Sequence, residues 1–437
     1  MNYLVSTIQY NALVNKNLLK NMLNFATKHD VETIYLYVMP GRNKDETLLP
    51  TFEDERIELL YLGKEGKKLN SNLKLFDTQI LASQINPLTG FNAKLHRDYS
   101  YILPATKVRY QSIPNTSKYP RFLATTGALT HGNYKMHTAQ GRKSELLHQY
   151  GFSFIQIRNN TVFDYVPIES MKNGNFHYLR EYYKDGKVHD AQPEALVLGD
   201  WHNGHTCKKV RARTFEMITE LQPKRVVLHD FFDGYSVNHH ERNDNMARAM
   251  SWSSNECELE AEMKELYKEM MAFANHAPET QYLVAESNHD LRLFSYINRE
   301  NFLQDGHNSV FACKLFIAVF ENPRRPILET ALSLIGDLPG NFRFLSEDEE
   351  YRVKGVGLDY HGHRGVNGAR GTSPSFDRNN LKLISGHEHS PKVYANGMVV
   401  GTSTELRQAY TKGAGSWLNA HGILYSSGKY SLLTLIL

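Results

Sequence analysis

Five short apolar runs each end in a cluster of acids, amides and imidazoles, and that repetition constrains this chain more than any other feature. LVLGDWHNGH (196–205) ends in Asp200, His202 and His205, RVVLHDFFDG (225–234) in Asp230 and Asp233, and QYLVAESNHD (281–290) in Asn288, His289 and Asp290. GVGLDYHGH (355–363) ends in His361 and His363, and LKLISGHEH (381–389) in His387 and His389. One such segment is an ordinary polar turn, because turns collect Asp, Asn and Gly for backbone reasons. The pattern recurs with the same direction each time, apolar residues first and metal-liganding types last. Runs of this length and composition read as strands. Ligands of open α/β sheets bind outside the carboxyl ends of the strands, so the five ends can converge on one site.

Helical patterns lie between these runs. KKVRARTFEMITELQ (208–222) follows the first, and ECELEAEMKELYKEMMAFANH (256–276) lies between the second and third. In the latter, Leu259, Met263, Leu266, Met270 and Phe273 recur at steps of three and four, which reads as a packed face. The alternation predicts an α/β domain in which a layered sheet is flanked by helices. The polar segment YYKDGKVHDAQPEA (182–195) sets a boundary near residue 190 and divides the chain into 1–190 and 191–437. NYLVSTIQY, LLKNMLNFATKHD, VETIYLYVMP and RIELLYLG read as strand, helix, strand and strand, so the first region is expected to be a smaller mixed α/β domain.

That first region has a charge pattern of its own. From Tyr99 to Phe163 the only acid is Glu145, against Lys107, Arg109, Lys118, Arg121, Lys135, Arg142, Lys143 and Arg158. Tyr101, Tyr110, Tyr119, Phe122, Tyr134 and Phe152 are interleaved with them. Bases and a phosphate backbone call for such a mixture. The same pattern also fits a Tyr-rich β region with a solvated basic face. Arg121, Lys135, Arg142 and Lys143 are the residues expected to touch nucleic acid.

Composition excludes several classes. The 437 residues, 41% hydrophobic and 22% charged, are those of a globular protein long enough for two cores, not of a disordered chain. No apolar run reaches the roughly eighteen residues of a membrane helix, and YSLLTLIL reads as a final strand. The opening MNYLVSTIQYNALVNKN lacks a signal-peptide layout. Cys207, Cys257 and Cys313 are odd in number and widely spaced, which speaks against a disulfide framework or a cysteine zinc site and for a cytoplasmic, reducing compartment. A net charge of +3 carries little information by itself.

Asp, Asn and His together make a mixed oxygen and nitrogen donor set suited to manganese, iron or zinc, whereas a pure magnesium site favours oxygen alone. The candidates are too numerous for one ion. Two ions roughly 3.5–4 Å apart, sharing a carboxylate, polarise a phosphoryl group and generate a nucleophile from water.

The series GDWH, HDFFD, SNHD, HGH and GHEH, in that order and spacing, resembles the calcineurin-like metallophosphoesterase superfamily. The Asp-x-Phe-Asp form of the second motif is most similar to SbcD-type nuclease subunits of double-strand-break repair complexes. The resemblance covers 191–437 and implies a metallophosphoesterase-type layered β-sandwich flanked by helices. It implies that Asp200, His202 and His389 hold one ion, that Asp230 bridges two, and that Asn288, His361 and His387 complete the second. His289 would protonate the leaving oxygen or steady the transition state. His205, Asp233, Asp290 and His363 would orient ligands or meet substrate, or serve as turn residues, and His239 and His240 would lie near substrate.

Two departures stand out: His229 and Ser287 occupy places where the family usually has Gly. The repair nucleases also carry a DNA-engaging cap after the catalytic domain, and only a short stretch follows the last motif here, so substrate selection is expected in 1–190. The resulting expectation is a two-metal phosphodiesterase acting on DNA, with RNA as an open alternative. A metal-activated hydroxide would attack phosphorus, with manganese the expected ion and iron, zinc or magnesium compatible. A phosphatase or phosphodiesterase of small molecules or proteins is the rival, and a nucleic-acid-binding protein with a dead site a third reading. No membrane is implied, and neither a homo-oligomer nor a partner ATPase can be derived.

Overall fold

A computed structural model describes every residue except 40–47, 62–65, 77, 79, 239–245, 247, 248, 250–252, 254–256, 300, 301, 409–412 and 437. The architecture is mixed α/β, with several sheets flanked by helices. Among the described residues no helix is long and apolar enough to cross a membrane. Two compact units form: Met1–Pro193 with His389–Val399 and Leu406–Leu437, and Glu194–Glu388 with Val400–Glu405. Against a single expected boundary at 190/191, the chain crosses at 193/194 and returns near its C-terminal end, which makes the first unit the larger.

In the first unit, β1 (Asn2–Gln9) runs parallel to β2 (Val31–Met39), joined by α1 (Lys16–Lys28), and β2 runs parallel to β3 (Ile57–Tyr61). The helix starts where the Asn15 side chain accepts from the Leu18 N–H, satisfying one of the donors a helix start leaves open. Leu18, Met22, Phe25 and Ala26 share one face and are buried. They pack with Phe152 and Phe154 of the antiparallel pair β9 (Gly151–Ile157) and β10 (Phe163–Glu169), which extends the sheet on the other side of β1.

Another sheet takes β4 (Lys67–Asn70), β5 (Leu73–Leu75), β6 (Ser100–Leu103), β8 (Arg121–Thr125), β7 (Tyr110–Ile113), β21 (Lys392–Val393) and β22 (Gly397–Val399) in that spatial order. α2 (Phe91–Lys94) lies between β5 and β6 in sequence, and α3 (Ala139–Leu146) between β8 and β9. β23 (Ala420–Leu424) and β24 (Tyr430–Thr434) pair antiparallel near the C-terminus.

The segment read from sequence as a polar separator is structured. β11 (Phe176–Tyr178), β12 (Glu181–Lys184) and β13 (Lys187–Asp190) form a three-stranded sheet. Asp185 and Gly186, at φ +53° and +79°, make the turn between β12 and β13, the Asp-Gly chemistry that two-residue hairpins favour. Polarity hid the hairpin because Lys184, Lys187, His189 and Asp190 of this short ribbon are exposed.

The basic stretch is also organised differently from the expectation. Tyr101, Tyr110, Phe122, Tyr134 and Phe152 are core residues, and Lys107, Arg109 and Arg121 are buried with them. Arg121 donates to Asn72 Oδ1 at 2.9 Å and to Ser117 Oγ at 3.3 Å. Only Nη2 is engaged, while Nε and Nη1 are buried without a partner; the guanidinium lies inside the unit, away from any surface a phosphate backbone could reach, which corrects its expected role. Lys135, Arg142 and Lys143 are exposed.

The second unit carries four parallel strands in the order β17 (Phe342–Leu345), β16 (Gln281–Ala285), β15 (Arg225–Leu228), β14 (Ala195–Val197). They read as continuous apolar runs because a parallel sheet is covered on both faces. α4 (Lys208–Leu221) connects β14 to β15, and α5 (Leu259–His276) precedes β16. The expected α5 face is buried completely at Leu259, Met263, Leu266, Met270 and Phe273, each burial contributing about 1.5–3 kcal/mol. α6 (Asp290–Arg299), α7 (Ser309–Glu321) and α8 (Ile327–Ser333) precede β17; β18 (Arg352–Val353), β19 (Val356–Gly357), α9 (Ser373–Arg378) and β20 (Leu383–Ser385) follow it.

Candidate metal centre

The strands of the second unit release their polar residues at their carboxyl ends. Asp200 and His202 follow β14, Asp230 and Asp233 follow β15, Asn288 and His289 follow β16, His361 follows β19 and His387 follows β20. The loops after β14 and β15 are tied together by N–H donors of Trp201, His202 and Asn203 to the carbonyls of His229, Asp230 and Phe231 at 2.9, 2.7 and 3.2 Å. The stretch 400–405 braces Asp200 from the other side: its N–H donates to the Gly401 carbonyl at 3.1 Å and its carbonyl accepts from the Ser403 N–H at 2.8 Å.

Such bracing holds an unfavourable backbone. His202, Asp230 and His387 have φ of +48°, +43° and +73°, a region that costs a non-glycine residue roughly 1–2 kcal/mol. Strain of this kind persists where the surroundings impose it, and it concentrates at working sites. Gly386 is required for a different reason. A Cβ there would sit 2.1 Å from Asp200 Oδ1 and 2.9 Å from the His229 Cβ.

Asp200, His202 and Asp230 each present a ligand atom within 4.8 Å of the others. Asp230 is central: its Oδ2 lies 3.5 Å from His202 Nε2 and 3.2 Å from His361 Nε2. His361 Nε2 also faces Asn288 Oδ1 at 3.1 Å. The His387 N–H donates to Asp200 Oδ2 at 2.8 Å, and its ring stands edge-on to His361 with centroids 5.2 Å apart. The second unit thus gathers Asp200, His202, Asp230, Asn288, His361 and His387. His389 opens the segment belonging to the first unit, with φ +54° and its ring 4.3 Å from that of Trp417.

The donor chemistry fits a divalent cation. Asp230 Oδ1 and His361 Nδ1 are buried with no hydrogen-bond partner, an arrangement that is costly unless a cation takes up the carboxylate. Burial alone would push the His202 imidazole down, but the carboxylates of Asp230, Asp233 and Asp200 outweigh it and hold it up at about 9. Burial of Asp230 is likewise outweighed by His361, His289 and His202, which keep its carboxyl well below the usual range. Protons and a metal ion therefore compete for the same atoms, and metal binding releases protons.

Asp233 orients His202. It accepts from His202 Nδ1 at 2.8 Å, which fixes the ring so that Nε2 faces Asp230. His202, Asp233 and His289 also offer atoms within 4.8 Å of one another, but His202 Nδ1 and His289 Nδ1 are already engaged by Asp233, through its carboxylate and its carbonyl respectively. Asp233→Asn is expected to weaken metal affinity about 10- to 100-fold, the usual cost of losing a group that orients a metal-binding histidine. Titration of apoprotein with manganese measures it, and unchanged affinity would remove Asp233 from the site.

The other sequence candidates separate. His205 is partly exposed, with Nε2 3.8 Å from Asp233 Oδ2. Asp290 is buried and accepts from the Ser287 N–H at 2.9 Å, so it shapes the loop before α6 rather than offering a ligand. Burial raises its carboxyl well above the usual range. His363 faces Glu347 Oε1 at 2.7 Å, and Arg364 meets the other oxygen at the same distance. His239 and His240 lie outside the described residues.

Three residues at the site had no role in the sequence reading. His229 is fully buried beside His361, rings 5.6 Å apart, and neither of its ring nitrogens has a hydrogen-bond partner. Glu262, on the α5 face otherwise read as packing, accepts from the Gly234 and Ser236 N–H groups at 2.8 and 3.1 Å and holds the loop after Asp233. Burial pushes its carboxyl up to about 7. Arg292, in the first turn of α6, reaches His289 and the Asp233 carbonyl. Its position three residues after His289 is the signal that could have found it.

No family model matches the chain. Protein A1 of Escherichia phage T5 is 24% identical over 455 aligned residues, which cover 99% of this chain and 81% of that protein. A solved structure aligns over 55% of this chain and 98% of its own, at 12% identity and a TM-score of 0.28. A buried Asp and His group able to hold a metal ion is what this chain presents.

Proposed function

We propose that this protein is a two-metal phosphodiesterase that hydrolyses nucleic acid, a DNase of the calcineurin-like metallophosphoesterase type. The observation that carries the reading is Asp230: a buried carboxylate whose Oδ2 has two histidine nitrogens within 3.5 Å and whose Oδ1 is left unpartnered. Divalent ions held there would polarise a phosphoryl oxygen and lower the pKa of water. Asp200 and His202 would hold one ion, and Asn288, His361 and His387 the other, with Asp230 shared. The chain's own part is to present these atoms rigidly, with Asp233 aligning His202 and Asp290 folding the loop that carries Asn288. The mixed donor set favours manganese over magnesium.

Purified protein supplied with manganese is expected to cut plasmid and linear duplex DNA and a chromogenic phosphodiester, and to stop when EDTA is added. Parallel incubations with single-stranded DNA, RNA and a chromogenic monoester separate the alternatives. Hydrolysis of the monoester alone, with all nucleic acids intact, would replace this reading.

A phosphatase or phosphodiesterase of small molecules or proteins would use the same centre, and the burial of Arg121 and of the interleaved aromatics favours it. The exposed Lys135, Arg142 and Lys143 decide between the two. If they meet a phosphate backbone, changing all three to Ala flattens the salt dependence of DNA binding by about 0.7–0.9 in log–log slope per lost contact. Cleavage of the small chromogenic diester is expected to persist. Unchanged DNA binding and an unchanged slope would leave these three as a solvated face.

A further inference from the structure

Arg292 stands beside His289 in the first turn of α6. No carboxylate oxygen of the described residues is within ion-pair distance of it. Its Nη1 donates to the Asp233 carbonyl at 2.8 Å, and its Nη2 approaches His289 Nε2 at 3.3 Å. The Asp233 carboxylate is directed instead at His202. Among the described residues two of the five guanidinium N–H groups have an acceptor, which leaves the others for a ligand. The side chain is half-buried and passes over Gly234, where an added Cβ would meet Arg292 Cδ at 3.1 Å.

The hydrogen bonds also fix what His289 can do. A guanidinium only donates, so His289 Nε2 accepts and the ring proton sits on Nδ1, directed at the Asp233 carbonyl. A histidine in that state cannot donate to a phosphate oxygen through Nε2. The guanidinium beside it can.

We propose that Arg292 holds a non-bridging oxygen of the scissile phosphodiester, with His289 and the Asp233 carbonyl positioning the guanidinium; the identity of the anion rests on the phosphodiesterase reading above. A planar guanidinium meets a phosphate through two parallel N–H bonds, which an ammonium does not reproduce. The charge on a phosphoryl group rises toward the transition state, so a fixed donor acts on turnover as well as on binding.

The test uses manganese-loaded parent protein, Arg292→Ala and Arg292→Lys. Three quantities are measured: bound manganese per chain, the affinity for inorganic phosphate by calorimetry, and kcat and KM on bis(p-nitrophenyl) phosphate. Arg292→Ala is expected to keep the metal, to weaken phosphate binding at least about 10-fold, and to lower kcat/KM about 100-fold, in the range for losing one donor to a transition-state oxyanion. Arg292→Lys is expected to recover part of the phosphate affinity. Phosphate affinity within twofold of the parent in Arg292→Ala overturns the proposal. Loss of manganese in both variants also overturns it, since Arg292 would then only support the metal loops. A parent that hydrolyses no phosphodiester sinks the functional reading alone, because the phosphate titration still decides Arg292. A parent that binds no phosphate sinks this proposal.

Discussion

Replacing Asp230 with Asn is expected to abolish hydrolysis and to release or badly weaken one ion. A neutral amide cannot neutralise two cations held close together, and its NH₂ group would point a donor at one of them. The site leaves little room to compensate. Asp230 is buried, its backbone is held at φ +43°, and its Oδ2 faces both His202 and His361. The expected loss in turnover is at least roughly 1,000-fold, the upper range for removing a group on which transition-state charge stabilisation depends. Metal analysis of the purified variant checks the cause. Two tightly held ions with normal turnover would sink the two-metal assignment.

His289→Ala separates chemistry from metal binding. In this variant both ions are expected to stay and turnover to fall about 100-fold, the effect of losing the fixed guanidinium donor that His289 positions. His289 packs edge-on against His202, with centroids 4.6 Å apart, and its Nδ1 is tied to the Asp233 carbonyl rather than aimed at Asp230. Burial pushes its imidazole down to about 4, so in the metal-free protein it stands neutral at working pH. Its contribution then runs through the lone pair on Nε2 and the Arg292 guanidinium beside it. A variant that loses metal instead would show that His289 is a ligand.

Residue type and order alone pointed to Asp200, His202, Asp230, Asn288, His361 and His387, because each stands where an apolar run ends and the chain must turn out of the sheet. That logic is local and survives folding. The same holds for α5, whose apolar spacing at 259, 263, 266, 270 and 273 matches its buried face. It failed where the deciding quantity was distance across the chain. Arg121 carries the same charge as Lys135 in the sequence, but β8 turns its side chain toward Asn72, while Lys135 stays in solvent. Tyr101, Tyr110 and Phe122 look as suited to stacking bases as to filling a core, and only the sheet that buries them decides.

What the sequence determined by itself is the set of chemically able side chains and the strand ends that carry them, since apolar periodicity and turn chemistry act over a few residues. The tertiary structure decided which of those side chains meet. It brought His202 and His361 to the same oxygen of Asp230, gave Asp233 to His202 and His363 to Glu347, folded Asp290 into its own loop, and brought Arg292 over Gly234 to His289. The cause is that parallel strands far apart in sequence are fixed side by side by their backbone hydrogen bonds. The left-handed φ values of His202, Asp230 and His387, which no local preference selects, are imposed by that packing.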